Sequence, residues 1–249
     1  MRTSGNTILL TGGSSGIGRA LAQALHDRGD RIIVAGRREG ALRETAEGRP
    51  GISWLTFDAA DADSIRDLAQ RVLQAHADLD TLINNAGIMR GEDLTADPVD
   101  LADAEAIVAT NLLGPLRLTA ALLPHLRSRP RAAVVNVTSG LAFVPLAHTP
   151  AYSATKAGLH SWTQSLRHQL RGTAVEVIEI APPMVATDLM PGQAVNPRSL
   201  PLGDFVAETM SLLGQDPTPA EVLVERVGFL RHAEAEGRFD ATFAQLNGH

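Results

Sequence analysis

The chain of 249 residues contains no cysteine, one tyrosine and, among 22 basic side chains, a single lysine. Without cysteine it can form no disulfide, no thiolate zinc site and no thiol nucleophile, a composition compatible with the cytoplasmic location that we predict. The eight histidines are scattered without an H-E-x-x-H motif, so the sequence indicates no metal site. The formal charge of −6 argues against nucleic acid or an anionic membrane surface as a partner.

Long apolar runs are also missing from the chain. No segment approaches the ~18 consecutive apolar residues of a spanning helix, and the N-terminus has no apolar stretch followed by a cleavage site. We therefore expect no membrane interaction. A hydrophobic content of 44% is ample for one large α/β domain or two small ones. We predict a single domain over residues 1–249, with a helical substrate-loop and C-terminal region from about residue 191 to 249.

The only tyrosine and the only lysine lie four positions apart, in the sequence T-P-A-Y-S-A-T-K-A-G at residues 149–158. Pro150 suits a first helical position, and Thr149 can cap the helix. Residues at i and i+4 share a helix face, so Tyr152 and Lys156 should point the same way. An ammonium group lowers the pKa of a nearby phenol, which predicts a general acid/base. The alternative is an ordinary tyrosine and lysine on a helix surface.

A glycine-rich turn follows the first predicted strand, residues 7–11. The turn reads G-G-S-S-G-I-G and leads into a helical pattern. Glycines allow a close approach of the backbone to a pyrophosphate, and the helix N-terminus supplies N–H donors. A flexible turn is the alternative interpretation. The candidate cofactor-binding residues here are Gly12, Ser14, Ser15, Gly16, Ile17 and Gly18.

The second predicted strand, residues 31–35, ends in Gly36, Arg37 and Arg38. In dinucleotide-binding folds an acidic residue at this point binds the ribose 2′-OH of NAD, whereas arginine accommodates the 2′-phosphate of NADP. Arg37 and Arg38 therefore favour NADP(H) over NAD(H). A solvated basic turn is the alternative.

Four further strands are predicted at residues 52–57, 80–84, 132–138 and 174–180, and helices alternate with them. This alternation predicts an α/β fold with a parallel, doubly wound sheet of about six strands and helices on both faces. Ligands bind at the carboxyl ends of such strands. Candidate site residues at these ends are Asp58, Ala59, Asn85, Ala86, Gly87, Ser139, Pro182, Val185 and Thr187. Asn85 could brace the end of the sheet, and a turn residue is an equally good interpretation of Asn84.

A long helical pattern over residues 101–127 contains Asn111 and, four residues later, Pro115. Proline has no N–H, so the Asn111 carbonyl loses its normal partner and the helix should kink. The pattern is equally compatible with a bend in a packing helix and with a water site beside the Tyr152 helix.

Together these motifs resemble the short, non-extended branch of the short-chain dehydrogenase/reductase family. The matching residues are T-G-G-S-S-G-I-G at 11–18, N-N-A-G at 84–87, Asn111, Ser139 and Y-S-A-T-K at 152–156. The resemblance implies a Rossmann-type domain, a nicotinamide cofactor and a carbonyl or alcohol substrate. It implies that Tyr152 donates the proton in reduction and that Ser139 orients the carbonyl. Lys156 would hold the nicotinamide ribose and lower the Tyr152 pKa, while the Asn111 carbonyl would bind a water in a proton relay.

Two features depart from the family pattern. Pro183 replaces the glycine of the usual P-G after the sixth strand, which should stiffen that loop. The usual last strand is missing, and residues 203–247 look helical instead. We therefore expect six strands and a helical C-terminal tail. A homodimer or homotetramer is expected, and the helices at residues 101–127 and 150–171 would form the interface.

The predicted function is an NADP(H)-dependent oxidoreductase, either a carbonyl reductase or an alcohol dehydrogenase. A non-catalytic dinucleotide-binding sensor on the same fold is the alternative. The intact set of Asn111, Ser139, Tyr152 and Lys156 favours the enzyme, since a sensor needs no acid/base. The expected substrate pocket is chiefly apolar and suggests a medium-sized hydrophobic or aromatic ketone. Its candidate residues are Ser139, Gly140, Leu141, Ala142, Val144, His148, Met184, Met190 and Met89.

Overall fold

The computed structural model describes residues 1–248 and contains one seven-stranded sheet in which all strands are parallel. The strand order is β3-β2-β1-β4-β5-β6-β7, so the chain reverses its direction of winding between β1 and β4. The bounds are β1 Thr7–Thr11, β2 Arg31–Gly36, β3 Ile52–Thr56, β4 Thr81–Asn84, β5 Ala132–Val137, β6 Val175–Ile180 and β7 Glu221–Val222. The predicted α/β class and the first six strands are confirmed.

Helices cover both faces of this sheet. Their bounds are α1 Gly16–Asp27, α2 Glu39–Ala46, α3 Ala62–Ala75, α4 Ala102–Val108, α5 Gly114–Ser128, α6 Pro150–Gln169, α7 Leu202–Leu213, α8 Gly228–Arg231 and α9 Phe239–Asn247. Alternate strand residues point to opposite faces. Leu10 and Val34 therefore pack with α1 and α7 in one core, and Leu9 packs with α3 and α5 in the other. Burial on both faces explains why these strands are almost continuously apolar.

The expectation of six strands was wrong, because β7 adds a seventh at the edge of the sheet. Glu221 pairs with Glu179 and Val222 pairs with Ile180, both in parallel. The strand is only two residues long and is followed at once by a 3₁₀ turn at Glu225–Val227. Val222 and Val224 are buried and alternate with the less buried Leu223, which is the period-two pattern of a strand. The helical part of the prediction is confirmed by α7, α8 and α9.

The helical pattern at residues 101–127 is interrupted, as expected from Asn111 and Pro115. α4 ends at Val108, a π-helical turn occupies Ala109–Leu113, and α5 continues from Gly114. Among the described residues, this continuous helical segment alone is long and apolar enough to cross a membrane by length and composition, with a mean hydropathy of 1.5. It packs against the sheet through Leu118, Leu122 and Leu126, so in this fold it is a core helix.

Candidate active site

The glycine turn after β1 is packed directly against the end of β4. A Cβ atom on Gly12 would lie 2.8 Å from the Ala86 Cα, and one on Gly18 would overlap the Gly12 carbonyl. Gly12 also has a φ of +72°, in the left-handed region that favours glycine. The turn therefore needs glycine at both positions. Backbone exposed in this way at the start of α1 fits a pyrophosphate.

Asn85 braces the end of the sheet, as predicted. Its side-chain amide donates to the Thr11 carbonyl at 3.0 Å and to the Gly12 carbonyl at 3.3 Å. The Thr11 hydroxyl accepts hydrogen bonds from the backbone N–H groups of Asn85 and Ala86. Asn84 has a different role, because its amide donates to Thr119 and Asn136 inside the core.

Arg38 reaches from the end of β2 to the glycine turn. Its guanidinium donates to the Ser15 hydroxyl at 2.8 Å and to the Ser14 hydroxyl at 3.1 Å. Arg37 beside it is exposed to solvent, and both arginines line the same cleft as the turn. The end of β2 therefore presents positive charge next to the helix N-terminus.

Ser139, Tyr152 and Lys156 come together at the carboxyl end of β5. Ser139 lies two residues after β5, and Tyr152 and Lys156 lie one turn apart on α6. The Lys156 Nζ atom is 5.6 Å from the centre of the Tyr152 ring and donates to the Val137 carbonyl at 2.8 Å. All three side chains are buried. The structure thus confirms that Tyr152 and Lys156 share one face of the helix.

The expected lowering of the Tyr152 pKa is wrong in this structure. Burial raises the pKa of Tyr152 to about 12 and outweighs the Ser139 hydroxyl, which acts to lower it. Burial also lowers the pKa of Lys156 to about 8, against the nearby Glu179 carboxylate, which acts to raise it. The ammonium group donates to a carbonyl, and the low-dielectric surroundings disfavour both charged forms.

Asn111 lies in the π-helical turn and is completely buried. Its side chain makes a reciprocal pair with Ile88, accepting from the Ile88 N–H at 2.9 Å and donating to the Ile88 carbonyl at 2.8 Å. A Cβ atom on Gly87 would lie 3.3 Å from the Asn111 Oδ1 atom and 3.8 Å from the Lys156 Nζ atom. The segment after β4 is therefore held between Asn111 and Lys156. A water on the Asn111 carbonyl stays a prediction.

The expected cap of α6 is wrong. Thr149 precedes the helix but makes no capping hydrogen bond, and its buried hydroxyl has no partner among the described residues. Glu92 takes that place from the loop after β4, since its carboxylate accepts from the Ala151 N–H at 2.9 Å. The backbone N–H of Glu92 also donates to the His148 carbonyl at 3.0 Å. A carboxylate at a helix N-terminus is favourable both as a hydrogen-bond acceptor and as a negative charge.

The loop after β6 closes the site on its other side. The Pro182 carbonyl accepts from the Gly140 N–H at 2.8 Å, which ties this loop to the Ser139 turn. Gln193, which sequence reasoning missed, donates to the Val185 carbonyl at 2.7 Å and to the Thr187 hydroxyl at 3.3 Å. The Thr187 side chain lies 3.4 Å from the point where a Cβ on Gly16 would be. Thr187 therefore faces the glycine turn across the cleft.

Two cavities meet at this site. A cleft of about 450 Å³ runs along the strand ends, and every predicted cofactor-binding residue lines it: Gly12, Ser14, Ser15, Gly16, Ile17, Gly18, Arg37, Arg38, Asp58, Ala59, Asn85, Ala86, Gly87, Tyr152, Lys156, Pro182, Val185 and Thr187. A second cavity of about 500 Å³ is mostly apolar. Ser139 and Tyr152 line both cavities. The two therefore meet at the predicted acid/base.

The second cavity corrects part of the predicted substrate pocket. Ser139, Gly140, Leu141, Met184, Met190 and Met89 line it, whereas Ala142, Val144 and His148 do not. His148 is exposed and lies against Gly91 instead, and Val144 is buried in the core. The sequence missed Leu146, Leu189, Pro191, Gly192, Gln193, Asn196, Leu230 and Leu246. The last two come from α8 and α9, which lie far from Leu146 along the chain. No local sequence pattern indicates that these segments meet.

Across residues 1–248, no group of three or more potential metal-ligating side chains occurs. The polar groups of the site are instead a phenol, an amine, a hydroxyl and an amide. This set can donate and accept protons and can orient an oxygen atom, in a place largely shielded from water.

Comparison with known proteins agrees with this arrangement. The family model for short chain dehydrogenases matches residues 6–196. The oxidoreductase DltE of Bacillus subtilis (strain 168) is 40% identical over 251 residues, which cover 99% of this chain and 98% of DltE. The crystal structure of a short chain dehydrogenase from Burkholderia cenocepacia J2315 in complex with NADP has a TM-score of 0.84 at 28% identity and covers 99% of both chains. A metagenomic short-chain oxidoreductase in complex with NADP has a TM-score of 0.75 at 29% identity, covering 89% of this chain and 98% of that one.

Proposed function

Because this chain belongs to the short-chain dehydrogenase/reductase family, we propose that it is an NADP(H)-dependent reductase that interconverts a carbonyl compound and its alcohol. One observation carries the proposal: Ser139 and Tyr152 lie where a dinucleotide-sized cleft joins an apolar cavity, and Lys156 lies one helical turn away. A carbonyl carbon in the apolar cavity would thus lie beside both the cofactor and a proton donor.

The chain's own residues have separate tasks in this reaction. The Ser139 hydroxyl would donate to the carbonyl oxygen and orient it, and Tyr152 would deliver the proton to the same oxygen. A phenol whose pKa is about 12 stays protonated at neutral pH, which suits a proton donor in the direction of reduction. Lys156 would hold the ribose hydroxyls at the inner end of the cleft.

The residues of the cleft fit a nicotinamide dinucleotide, which when bound would supply or accept the hydride. Gly12 and Gly18 leave the backbone open where a Cβ would clash, and the N-terminus of α1 offers N–H donors there. Arg37 and Arg38 would contact the 2′-phosphate, which supports NADP(H) rather than NAD(H). The Burkholderia cenocepacia structure in complex with NADP supports the same choice.

The second cavity favours an uncharged, mainly apolar carbonyl compound of moderate size. Among the described lining residues, only Ser139, Tyr152, Gln193 and Asn196 have polar side chains, and none has a charged one. A carboxylate or sulfonate placed there would lose its hydration without gaining a counter-ion, which is costly. We therefore propose a hydrophobic or aromatic ketone or aldehyde as substrate. A cytoplasmic location remains a prediction.

The test is to titrate the purified protein with NADPH and NADH, followed by cofactor fluorescence, and to assay turnover on a panel of ketones and aldehydes. The panel should pair each apolar compound with an analogue that carries a carboxylate. We expect tighter binding of NADPH and faster turnover of the uncharged member of each pair. Tight NADPH binding without turnover of any compound would favour the non-catalytic sensor, and preference for NADH would contradict the role of the arginines.

A further inference from the structure

Glu179 is a carboxylate in the core behind the active site, and the reaction proposed above does not use it. It lies on β6 and its side chain is fully buried. A buried carboxylate is costly unless hydrogen bonds and an opposite charge compensate it. The groups that compensate the buried charge of Glu179 therefore indicate the role of this residue.

Two hydrogen-bond donors hold the carboxylate in place. The Thr138 hydroxyl donates to Oε1 at 2.7 Å, and the His160 Nδ1 atom lies 2.9 Å from Oε1 and 2.8 Å from Oε2. Thr138 directly follows β5 and precedes Ser139, while His160 lies one turn after Lys156 on α6. Glu179 thus joins the strand end that carries Ser139 to the helix that carries Lys156.

His160 is held at both of its ring nitrogens. The Gln164 side-chain nitrogen lies 2.9 Å from the His160 Nε2 atom, on the side of the ring away from Glu179. Phe143 packs edge-to-face on the imidazole at 4.8 Å. This contact helps to keep water away from the pair.

The other charged groups around Glu179 have partners of their own. The Arg231 guanidinium makes two hydrogen bonds to Glu221, at 2.9 and 3.1 Å. Arg167 donates to the backbone carbonyls of Val177 and Ala220, both at 2.8 Å. Tyr152 is neutral at physiological pH. Lys156 donates to the Val137 carbonyl, the backbone group directly before Thr138, whose hydroxyl binds Glu179.

We propose that Glu179, held by Thr138 and His160, is a positioning residue for Lys156, and that its buried negative charge keeps the lysine in its ammonium form at neutral pH. Removal of the charge would leave the amine buried among uncharged groups, where the neutral form is favoured. Only the consequence for catalysis rests on the proposed function. The electrostatic effect of Glu179 on Lys156 requires neither cofactor nor substrate.

The single lysine makes a direct test possible. Protein labelled with ¹³C-lysine gives one lysine side-chain NMR signal, whose pH titration reports the ionisation of Lys156 without turnover. The wild-type midpoint should lie near pH 8, since the Lys156 pKa is about 8. Glu179→Gln, which keeps the shape and loses the charge, should lower that midpoint by about one unit. Glu179→Asp should remain closer to the wild type.

Matched control variants distinguish the loss of the Glu179 charge from a loss of folded structure. Glu176→Gln makes the same change on the same strand, at a half-exposed side chain that pairs with Arg131 and the N-terminus, and should leave the midpoint unchanged. If Glu179→Gln does not fold, Glu179→Met replaces the buried charge by an apolar side chain of similar length, a change that cores often tolerate. It should lower the midpoint as Gln does.

A Lys156 midpoint that stays at the wild-type value in folded Glu179→Gln or Glu179→Met protein would overturn the proposal. If the midpoint falls but the protein reduces no carbonyl compound, the charge relation holds and the proposed function fails. In an active enzyme, the fall of kcat/KM for NADPH at alkaline pH should shift to lower pH by the same amount as the NMR midpoint. A purely structural role of Glu179 would lower the rate and leave the pH of this fall unchanged.

Discussion

At the scale of single residues, the site depends on groups whose protonation is set by burial. Tyr152 and Lys156 are both buried, and burial moves their pKa values in opposite directions, to about 12 and about 8. Proximity to an ammonium group alone suggests that the pKa of the phenol is lowered, whereas in the structure desolvation has the larger effect on it. Residue identity and spacing were therefore sufficient to predict that these side chains share one helix face, but their protonation states depend on the surroundings.

The first prediction concerns pH. Carbonyl reduction needs a protonated Tyr152 and, on this account, a protonated Lys156, and both groups lose protons as pH rises. We therefore expect kcat/KM for NADPH, which reports groups of the free enzyme, to be level near neutral pH and to fall above about pH 8. A profile that stays level to pH 10 would contradict the role of Lys156. Lys156→Arg should shift the fall of kcat/KM to higher pH, even if the maximal rate is reduced, because arginine keeps its proton.

The second prediction concerns the choice of cofactor. Arg38→Ala should weaken binding of NADPH by roughly 10- to 100-fold and change binding of NADH much less, because a hydrogen bond to a charged group contributes about 1.5–3 kcal/mol. The measurement is a fluorescence titration with each cofactor. Arg43→Ala is the matched control, since Arg43 lies on α2 and is exposed to solvent. Equal losses for NADPH and NADH would contradict phosphate recognition by Arg38.

At the scale of elements, α6 is positioned by a residue from a distant loop. Its expected cap, Thr149, makes no capping bond, and Glu92 accepts from the Ala151 N–H instead. The sequence places Thr149 correctly before the helix but contains no local signal for a carboxylate that arrives from 59 residues away. β7 was missed for a related reason. A strand of two residues is too short for its sequence to show the alternation that is typical of a strand.

The third prediction tests this cap. Glu92→Ala should reduce the free energy of unfolding by about 1 kcal/mol and lower the Tm by about 2–4 °C for a domain of this size. Calorimetry measures both. Glu92→Gln keeps an oxygen that accepts from Ala151 and should lose less. Stability of Glu92→Ala equal to that of the wild type would show that the helix needs no cap from this loop.

At the scale of the whole molecule, the parallel sheet and its two cores follow from the alternation of strands and helices. The apolar runs of β1, β2, β4 and β5 indicate burial on both faces, and the strand ends bring together motifs that are far apart in sequence. The second, mostly apolar cavity is different, because α8 and α9 contribute Leu230 and Leu246. Asn247 anchors α9 by accepting from the Ala147 N–H at 2.6 Å. Such contacts depend on tertiary packing, which the sequence does not display locally.

The fourth prediction concerns assembly. Leu101, Val108 and Leu113 are apolar and exposed on or beside α4, and we propose that they lie in the interface of a homodimer or homotetramer. Val108→Glu should shift the mass measured by light scattering towards the monomer. Leu94→Glu, at a similarly exposed loop residue, should not. A wild-type protein that is monomeric at micromolar concentration would contradict the expectation.

The central claim is that Tyr152 delivers the proton in an NADPH-dependent reduction. The most direct measurement compares NADPH oxidation by wild-type and Tyr152→Phe protein with the best ketone, beside NADPH binding by fluorescence. Phenylalanine keeps the ring and removes only the hydroxyl. We predict a 10²- to 10⁴-fold loss of kcat, the range for a general acid, with NADPH affinity within a few-fold of the wild type. Reduction by Tyr152→Phe at the wild-type rate would contradict the account.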